Sequence, residues 1–65
     1  MKQYTNSEVS KLIEEHIHSD RDRRILKARL IDGLTFDELS SVFDISERQL
    51  KRIVYKAQDM IFQLL

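Results

Sequence analysis

The 65-residue chain carries 11 Lys and Arg against 11 Asp and Glu, and it has no Cys, no Pro and one Gly. A chain of this length forms one small domain with a marginal core, and without Cys it can form neither disulfides nor thiolate metal sites. Its apolar runs are too short for a transmembrane helix or a signal peptide, so we expect a cytoplasmic protein without membrane association. The scarcity of Gly and Pro, with plentiful Leu, Ile, Lys, Arg and Glu, predicts an all-α fold.

We predict a single small four-helix domain over residues 1–65, in which residues 1–5 are flexible. The first helix runs from about Ser7 to His18, with Asn6 or Ser7 as its N-cap. Residues at helical spacing give it one core-facing stripe. That stripe comprises Val9, Leu12, Ile13, His16 and Ile17.

The second helix is predicted to begin at Asp20, which caps its first turn. Gly33 ends it, because glycine adopts the left-handed conformation of a helix C-cap without steric cost. Its apolar residues are Ile25, Leu26, Ala28, Leu30 and Ile31.

A short third helix is predicted to follow at once. Thr35 is its N-cap, and Glu38 three residues later completes a capping box. The apolar stripe comprises Phe36, Leu39, Val42 and Phe43. Asp44 ends the helix, since Asp tolerates a left-handed backbone better than most residues, and Ile45 fills the corner.

The fourth helix begins after a second N-cap, Ser46, and is the longest. Its inward residues recur every three or four positions, at Leu50, Ile53, Ala57, Met60, Ile61 and Leu64. Two helices joined by so tight a turn are typical of a helix-turn-helix, with its centre at residues 35–57, and the small Ser40 suits the close helix crossing. Such a turn usually positions the second helix for docking into DNA.

Three segments carry a family resemblance: Asp20-Arg21-Asp22-Arg23-Arg24, the run Arg29 to Ser40 containing Gly-Leu-Thr-Phe-Asp-Glu-Leu-Ser, and Ile45 to Arg52. From about Asp20 to Leu65 the chain resembles region 4 of bacterial RNA polymerase sigma factors, and more loosely the output domains of response regulators. The chain has Asp44 where that family commonly has Gly, and Ser40 where Ala is usual. The resemblance implies that residues following the cap Ser46 contact promoter bases. Region 4 of sigma factors also binds the polymerase flap, so the resemblance leaves open that this domain docks there.

Charge is unevenly distributed, although the total is zero. Residues 20–34 and residues 46–65 each carry a net charge of +2, whereas residues 35–45 carry −3. Long polar side chains at the start of the fourth helix suit the major groove of DNA. The predicted DNA-binding residues are Ser46, Glu47, Arg48, Gln49, Lys51, Arg52, Tyr55 and Lys56. The alternative is a solvated helix face with i, i+4 ion pairs.

On side-chain chemistry, Arg48 and Arg52 suit guanine, Gln49 suits adenine and Glu47 suits cytosine. The ammonium groups of Lys51 and Lys56 suit phosphates, and Ser46 can cap the helix and also touch a phosphate.

No residue pattern indicates an enzyme. His16 and His18 lie two positions apart, so on a helix they point to different faces, with His16 at the core edge and His18 in solvent. The adjacent Glu14 and Glu15 also diverge, and no phosphate loop or catalytic triad is present. We therefore expect no catalytic residue, no metal site and no cofactor.

Apolar residues spread around the end of the fourth helix. They indicate either ordinary exposed side chains or a contact surface for a second copy or another protein. The candidate contact residues are Val54, Ile61, Phe62 and Leu65. A homodimer would place two recognition helices on half-sites about 34–36 Å apart.

Three functions remain open. The first is a small bacterial or phage transcription regulator that binds double-stranded DNA. The second is a protein-interaction module that docks on RNA polymerase or another regulator. The third is a phage DNA-packaging or recombination accessory.

Overall fold

The computed structural model describes residues 5–64, which form four α-helices and no strand. They are α1 (Asn6–His16), α2 (Asp20–Leu30), α3 (Phe36–Phe43) and α4 (Glu47–Leu64). The predicted all-α, four-helix domain is confirmed. The expectations of a flexible N-terminus, apart from Thr5, and of a partner contact at Leu65 fall outside the described residues.

The first helix starts one residue earlier than predicted, because Thr5 is its N-cap. The Thr5 hydroxyl accepts a hydrogen bond from the Glu8 N–H at 3.1 Å, and the Glu8 side chain reaches back to the Thr5 backbone. The helix also ends two residues early, at His16. Ile17 takes an extended conformation, which turns its side chain into the core, where it is buried.

The second helix is capped by Ser19 and not by Asp20. The Ser19 hydroxyl accepts a hydrogen bond from the Asp22 N–H. The helix ends at Leu30 with Ile31 as its C-cap, so Gly33 is not the C-cap that the sequence predicts, although it has the predicted left-handed conformation, with φ of 75°. Leu34 then donates its N–H to the Ala28 carbonyl at 3.0 Å, which folds the connection back against the end of α2.

The turn between α3 and α4 follows the predicted caps. Thr35 and Glu38 form a capping box, in which Thr35 donates its N–H to Glu38 Oε1 at 3.0 Å. Asp44 is left-handed, with φ of 55° and ψ of 46°. The Ser46 hydroxyl accepts a hydrogen bond from the Gln49 N–H at 3.2 Å, so α4 begins where the cap serine predicts.

The core draws on all four helices and lies under α4. Its buried residues are Ile13, Ile17, Ile25, Leu26, Ala28, Leu39, Leu50, Val54, Ala57 and Ile61. Leu39 alone represents α3 among them, so α3 is fixed by one buried leucine together with half-buried neighbours.

Several predicted core positions are exposed instead. Val42 is 66% exposed, since the eight-residue α3 packs only Leu39 fully into the core. Met60 and Leu64 are also exposed, because the buried stripe of α4 runs through Val54 and Ile61. His16, predicted at the core edge, is exposed as well.

None of the helices within residues 5–64 combines the length and the apolar content needed to cross a bilayer.

Candidate nucleic-acid interface

Most basic residues of α2 are engaged in contacts within the domain. Arg23 donates from Nη2 to the Glu14 carbonyl at 2.9 Å and from Nε to the Ile17 carbonyl, so it fixes the end of α1. Lys27 forms an ion pair with the Glu14 carboxylate. Arg29 donates to the Leu34 carbonyl at 2.9 Å. The basic excess of α2 therefore serves largely to hold the domain together.

The basic residues of α4 are differently placed. Arg48, Arg52 and Lys56 are exposed, and none of them forms an ion pair with another residue among positions 5–64. They lie at positions i, i+4 and i+8, so they share one side of the helix. The domain thus leaves these three cations available to an external anion.

All eight predicted DNA-binding residues are exposed, and they lie between the N-cap of α4 and the middle of that helix. They are Ser46, Glu47, Arg48, Gln49, Lys51, Arg52, Tyr55 and Lys56. Leu50 and Val54 are fully buried on the opposite side, so α4 presents a polar face outward and an apolar face to the core. The residues predicted to face outward are exposed, whereas Val54, predicted to lie off the core face, is buried, and Ile53, predicted to face inward, is half-buried.

The outward face of α4 continues into a groove bounded by the first turn of α2. This groove has a volume of about 390 Å³. Its lining residues are Arg21, Asp22, Gln49, Arg52, Ile53 and Lys56. A smaller depression of about 210 Å³ shares Gln49 and Arg52 with it and also includes Ser46 and Arg48.

Arg21 was not among the predicted site residues. Its place beside α4 depends on how α2 packs against α4, which helical periodicity within either segment does not reveal. The acidic and basic opening of α2, at residues 20–24, was the one available signal, and it did not distinguish Arg21 from its neighbours.

Lys51 and Tyr55 occupy the other side of the outward face, next to α3. The Lys51 ammonium nitrogen lies 5.7 Å from the centroid of the Phe36 ring. The Tyr55 ring meets Phe36 edge-on, with centroids 5.7 Å apart and planes at 76°. Arg29 lies over the same ring at 4.7 Å. Phe36 thus links α2, α3 and α4, and its contacts restrain two of the predicted interface residues.

The surface of α3 is acidic. Asp37 and Asp44 are exposed, and Glu38 is held by its cap. Hydrogen bonds from the Thr35 backbone N–H and then its hydroxyl lower the pKa of Glu38 below its ordinary value of 4.5, so this carboxylate is ionised at neutral pH. The negative charge of α3 therefore weakens the attraction of a polyanion on that side of α4, so the side of Arg52 and α2 is the more favourable one.

His16 and His18 lie at the same surface depression, although their spacing predicts that they point to different faces of one helix. Because α1 ends at His16, His18 lies outside the helix, and both rings line a depression of about 290 Å³ that also includes Met60. Residues 5–64 contain no group of three or more His, Asp or Glu side chains placed to hold a metal ion.

The candidate partner-contact residues are only partly available on the surface. Val54 and Ile61 are fully buried, so their assignment as partner contacts is wrong for this fold. They belong to the stripe that α4 packs against the other helices. Phe62 is 46% exposed and remains accessible.

Comparison of the chain with protein families, with curated proteins and with solved structures finds no match. The observations that bear on function are therefore the exposed face of α4, the groove beside α2 and the acidic surface of α3.

Proposed function

We propose that this protein is a small DNA-binding transcription regulator that inserts the first half of α4 into the major groove of duplex DNA. The observation that carries the proposal is the set of exposed cations Arg48, Arg52 and Lys56 on one side of α4, none of which forms an ion pair within residues 5–64. Three cations of α2, Arg23, Lys27 and Arg29, are instead engaged internally. The resemblance to sigma factor region 4 agrees with this assignment.

The dimensions of the helix fit this role. A helix with its side chains is about 10–12 Å across, and the major groove is about 12 Å wide. Arg48 and Arg52 lie one turn apart, with their Cβ atoms separated by about 5–6 Å. That spacing allows the two guanidinium groups to reach different base pairs, and each suits the N7 and O6 acceptors of guanine.

The remaining residues have supporting roles in the proposal. Gln49 pairs with adenine, Glu47 accepts from cytosine N4, and Lys51 contacts phosphate. Ser46 is the N-cap of α4, so its hydroxyl fixes the start of the reading helix. Tyr55, packed edge-on against Phe36, keeps α4 in register with α3.

Zero net charge limits the affinity of one copy, because phosphate neutralisation supplies most non-specific binding. A second copy on an adjacent half-site would raise affinity through effective concentration. We include a homodimer in the proposal, with the exposed Phe62 as a contact residue.

The test is binding to a duplex selected from a random pool, measured by fluorescence anisotropy over a range of salt concentrations. Replacing Arg48 or Arg52 with Ala is expected to cost about 1–3 kcal/mol on the selected site and to relax its base preference. Lys11→Ala is the matched control, since Lys11 lies on α1 and contacts Glu15. Unchanged affinity and salt slope in both arginine variants would show that α4 is not the reading helix.

A second function is favoured by the surface of α3. Val42 is 66% exposed on α3, one helical turn after the acidic Glu38 and two residues before the acidic Asp44. Such a surface suits a partner with an apolar centre and basic edges. Under this alternative the domain docks on a regulator or on RNA polymerase, which the resemblance to region 4 implies.

The two functions separate in one experiment. Purified RNA polymerase is mixed with the wild-type domain and with Val42→Arg, and retention is compared with DNA binding by the same proteins. Retention of the wild-type domain alone, without DNA binding, supports the protein-interaction function. DNA binding by both proteins without retention supports DNA recognition by α4.

A further inference from the structure

The groove between α2 and α4 brings together cations from two helices. Arg21 contributes from α2, and Arg52 and Lys56 contribute from α4. Asp22 is the one acidic residue in its lining, so the lining side chains carry a net positive charge. Ile53 is the one aliphatic member. A groove of this composition suits an anion and not an apolar ligand.

The guanidinium group of Arg21 is held by Asp22, but not all of its hydrogen-bond donors have partners among the described residues. Its Nε and Nη2 atoms each lie 3.4 Å from Oδ1 of Asp22, while Nη1 has no partner among the described residues. The side chain is 54% exposed. Asp22 therefore restrains the guanidinium group and leaves one of its edges free to bind.

The first turn of α2 adds a weaker effect. Arg21 and Asp22 belong to the first turn of an 11-residue helix, whose N-terminal end carries a partial positive charge. Ser19 satisfies the Asp22 N–H, so the contribution here is the helix dipole together with the cationic side chains.

We propose that this groove binds a backbone phosphate of the DNA strand that borders the major groove, with Arg21 and Lys56 on either side of it. The proposal rests on the function proposed above and extends the contact surface from α4 to α2. A planar guanidinium group matches two phosphate oxygens, and Lys56 supplies a compact second charge. The groove is open at the surface, which suits a continuous strand.

This contact gives α2 a role in orientation. Base contacts from α4 alone permit the domain to rotate about the axis of that helix. A phosphate held between α2 and α4 removes this freedom, since it fixes a second point of the domain on the duplex.

The test compares Arg21→Gln with the wild-type domain on a selected duplex and on a random-sequence duplex, at several salt concentrations. Loss of one phosphate contact reduces the slope of log K against log salt by about 0.9. Binding to both duplexes weakens by the same factor, because the contact carries no base information. The base preference, determined by selection, stays that of the wild type.

Two variants serve as controls. Lys11→Gln removes one positive charge from α1, outside the groove, and is expected to keep the wild-type slope. Arg21→Lys keeps the charge and loses the planar fork, so its slope is that of the wild type and its affinity is intermediate. Thermal unfolding of each variant checks that the substitution, made at an exposed position, leaves the fold intact.

The outcomes separate this proposal from the one on which it rests. If Arg48→Ala weakens binding while Arg21→Gln keeps the wild-type slope, α4 reads DNA and the phosphate site is wrong. An equal loss of slope in Arg21→Gln and Lys11→Gln also overturns the site, since the effect is then one of total charge. If the wild-type domain binds no duplex at low salt, both proposals fail.

Discussion

Lys27 in α2 donates a hydrogen bond to the carboxylate of Glu14 in α1, thirteen positions earlier in the chain. Arg23 reinforces this contact, since its Nη1 atom lies 3.9 Å from Glu14 Oε2. One carboxylate thus joins α1 to two basic residues of the next helix. The hydrogen bond and charge of Lys27, with a smaller effect of Arg23, lower the pKa of Glu14 below its ordinary value of 4.5.

This lowered pKa predicts a loss of stability in acid. A carboxyl group with a lower pKa in the folded state stabilises that state at pH values above its unfolded pKa, and the contribution is lost as pH falls through the folded pKa. The melting temperature should therefore stay level near neutral pH and fall below about pH 4.5. Glu14→Gln is expected to melt at a lower temperature at pH 7 and to show a shallower decline in acid.

Glu15→Gln is the matched control for this measurement. It removes a charge from the same helix, where Glu15 lies 4.0 Å from Lys11, and it leaves the contact with Lys27 in place. Its melting curve against pH should follow that of the wild type. Parallel acid declines in Glu14→Gln and the wild type would contradict the role assigned to Glu14.

Replacing Asp44 with Gly should stabilise the domain. Asp44 has a φ of 55°, a conformation that glycine adopts without the steric cost borne by residues with a Cβ atom. We expect Asp44→Gly to raise the free energy of unfolding by about 0.5–1 kcal/mol, and Asp44→Ala to lower it. Urea denaturation of the three proteins measures both effects, and a gain in stability for Asp44→Ala would contradict the explanation.

Val54 and Phe62 provide a direct comparison of buried and exposed positions on α4. Val54 is fully buried, and Phe62 is 46% exposed. Val54→Ala should cost about 2 kcal/mol of unfolding free energy, because it removes buried methyl groups and leaves a cavity. Phe62→Ala should cost less, although phenylalanine is the larger residue. Equal losses in denaturation experiments would place Phe62 in the core and argue against this packing of α4.

The local signals in the sequence predicted the fold well. Thr35 with Glu38, Asp44 and Ser46 act at helix ends as their chemistry indicates, and Gly33 is left-handed in the connection that follows α2. Caps depend on residues within one turn of each other, so they are readable from a single sequence. The start of α1 differs from the predicted one because Thr5 is the cap, and Thr5 with Glu8 has the spacing of a capping box.

The faces of the helices were harder to predict. Val54 and Ile53 are neighbours on α4, and either could begin an apolar stripe. Contact of α4 with all three other helices decides between them, since those contacts select the stripe of Leu50, Val54, Ala57 and Ile61. The position of Arg21 beside α4 also depends on contacts between helices. Such relationships between helices are tertiary, and periodicity within one segment does not contain them.

The length of α4 has a mechanical consequence. Its 18 residues correspond to about 27 Å, close to the longest dimension of the domain, which is 32 Å. Arg48 and Phe62 therefore lie near opposite ends of one uninterrupted helix. A partner bound at the Phe62 end would therefore keep a fixed orientation relative to the Arg48 end. The backbone hydrogen bonds of α4 fix that orientation, because they make the helix stiffer than a flexible linker.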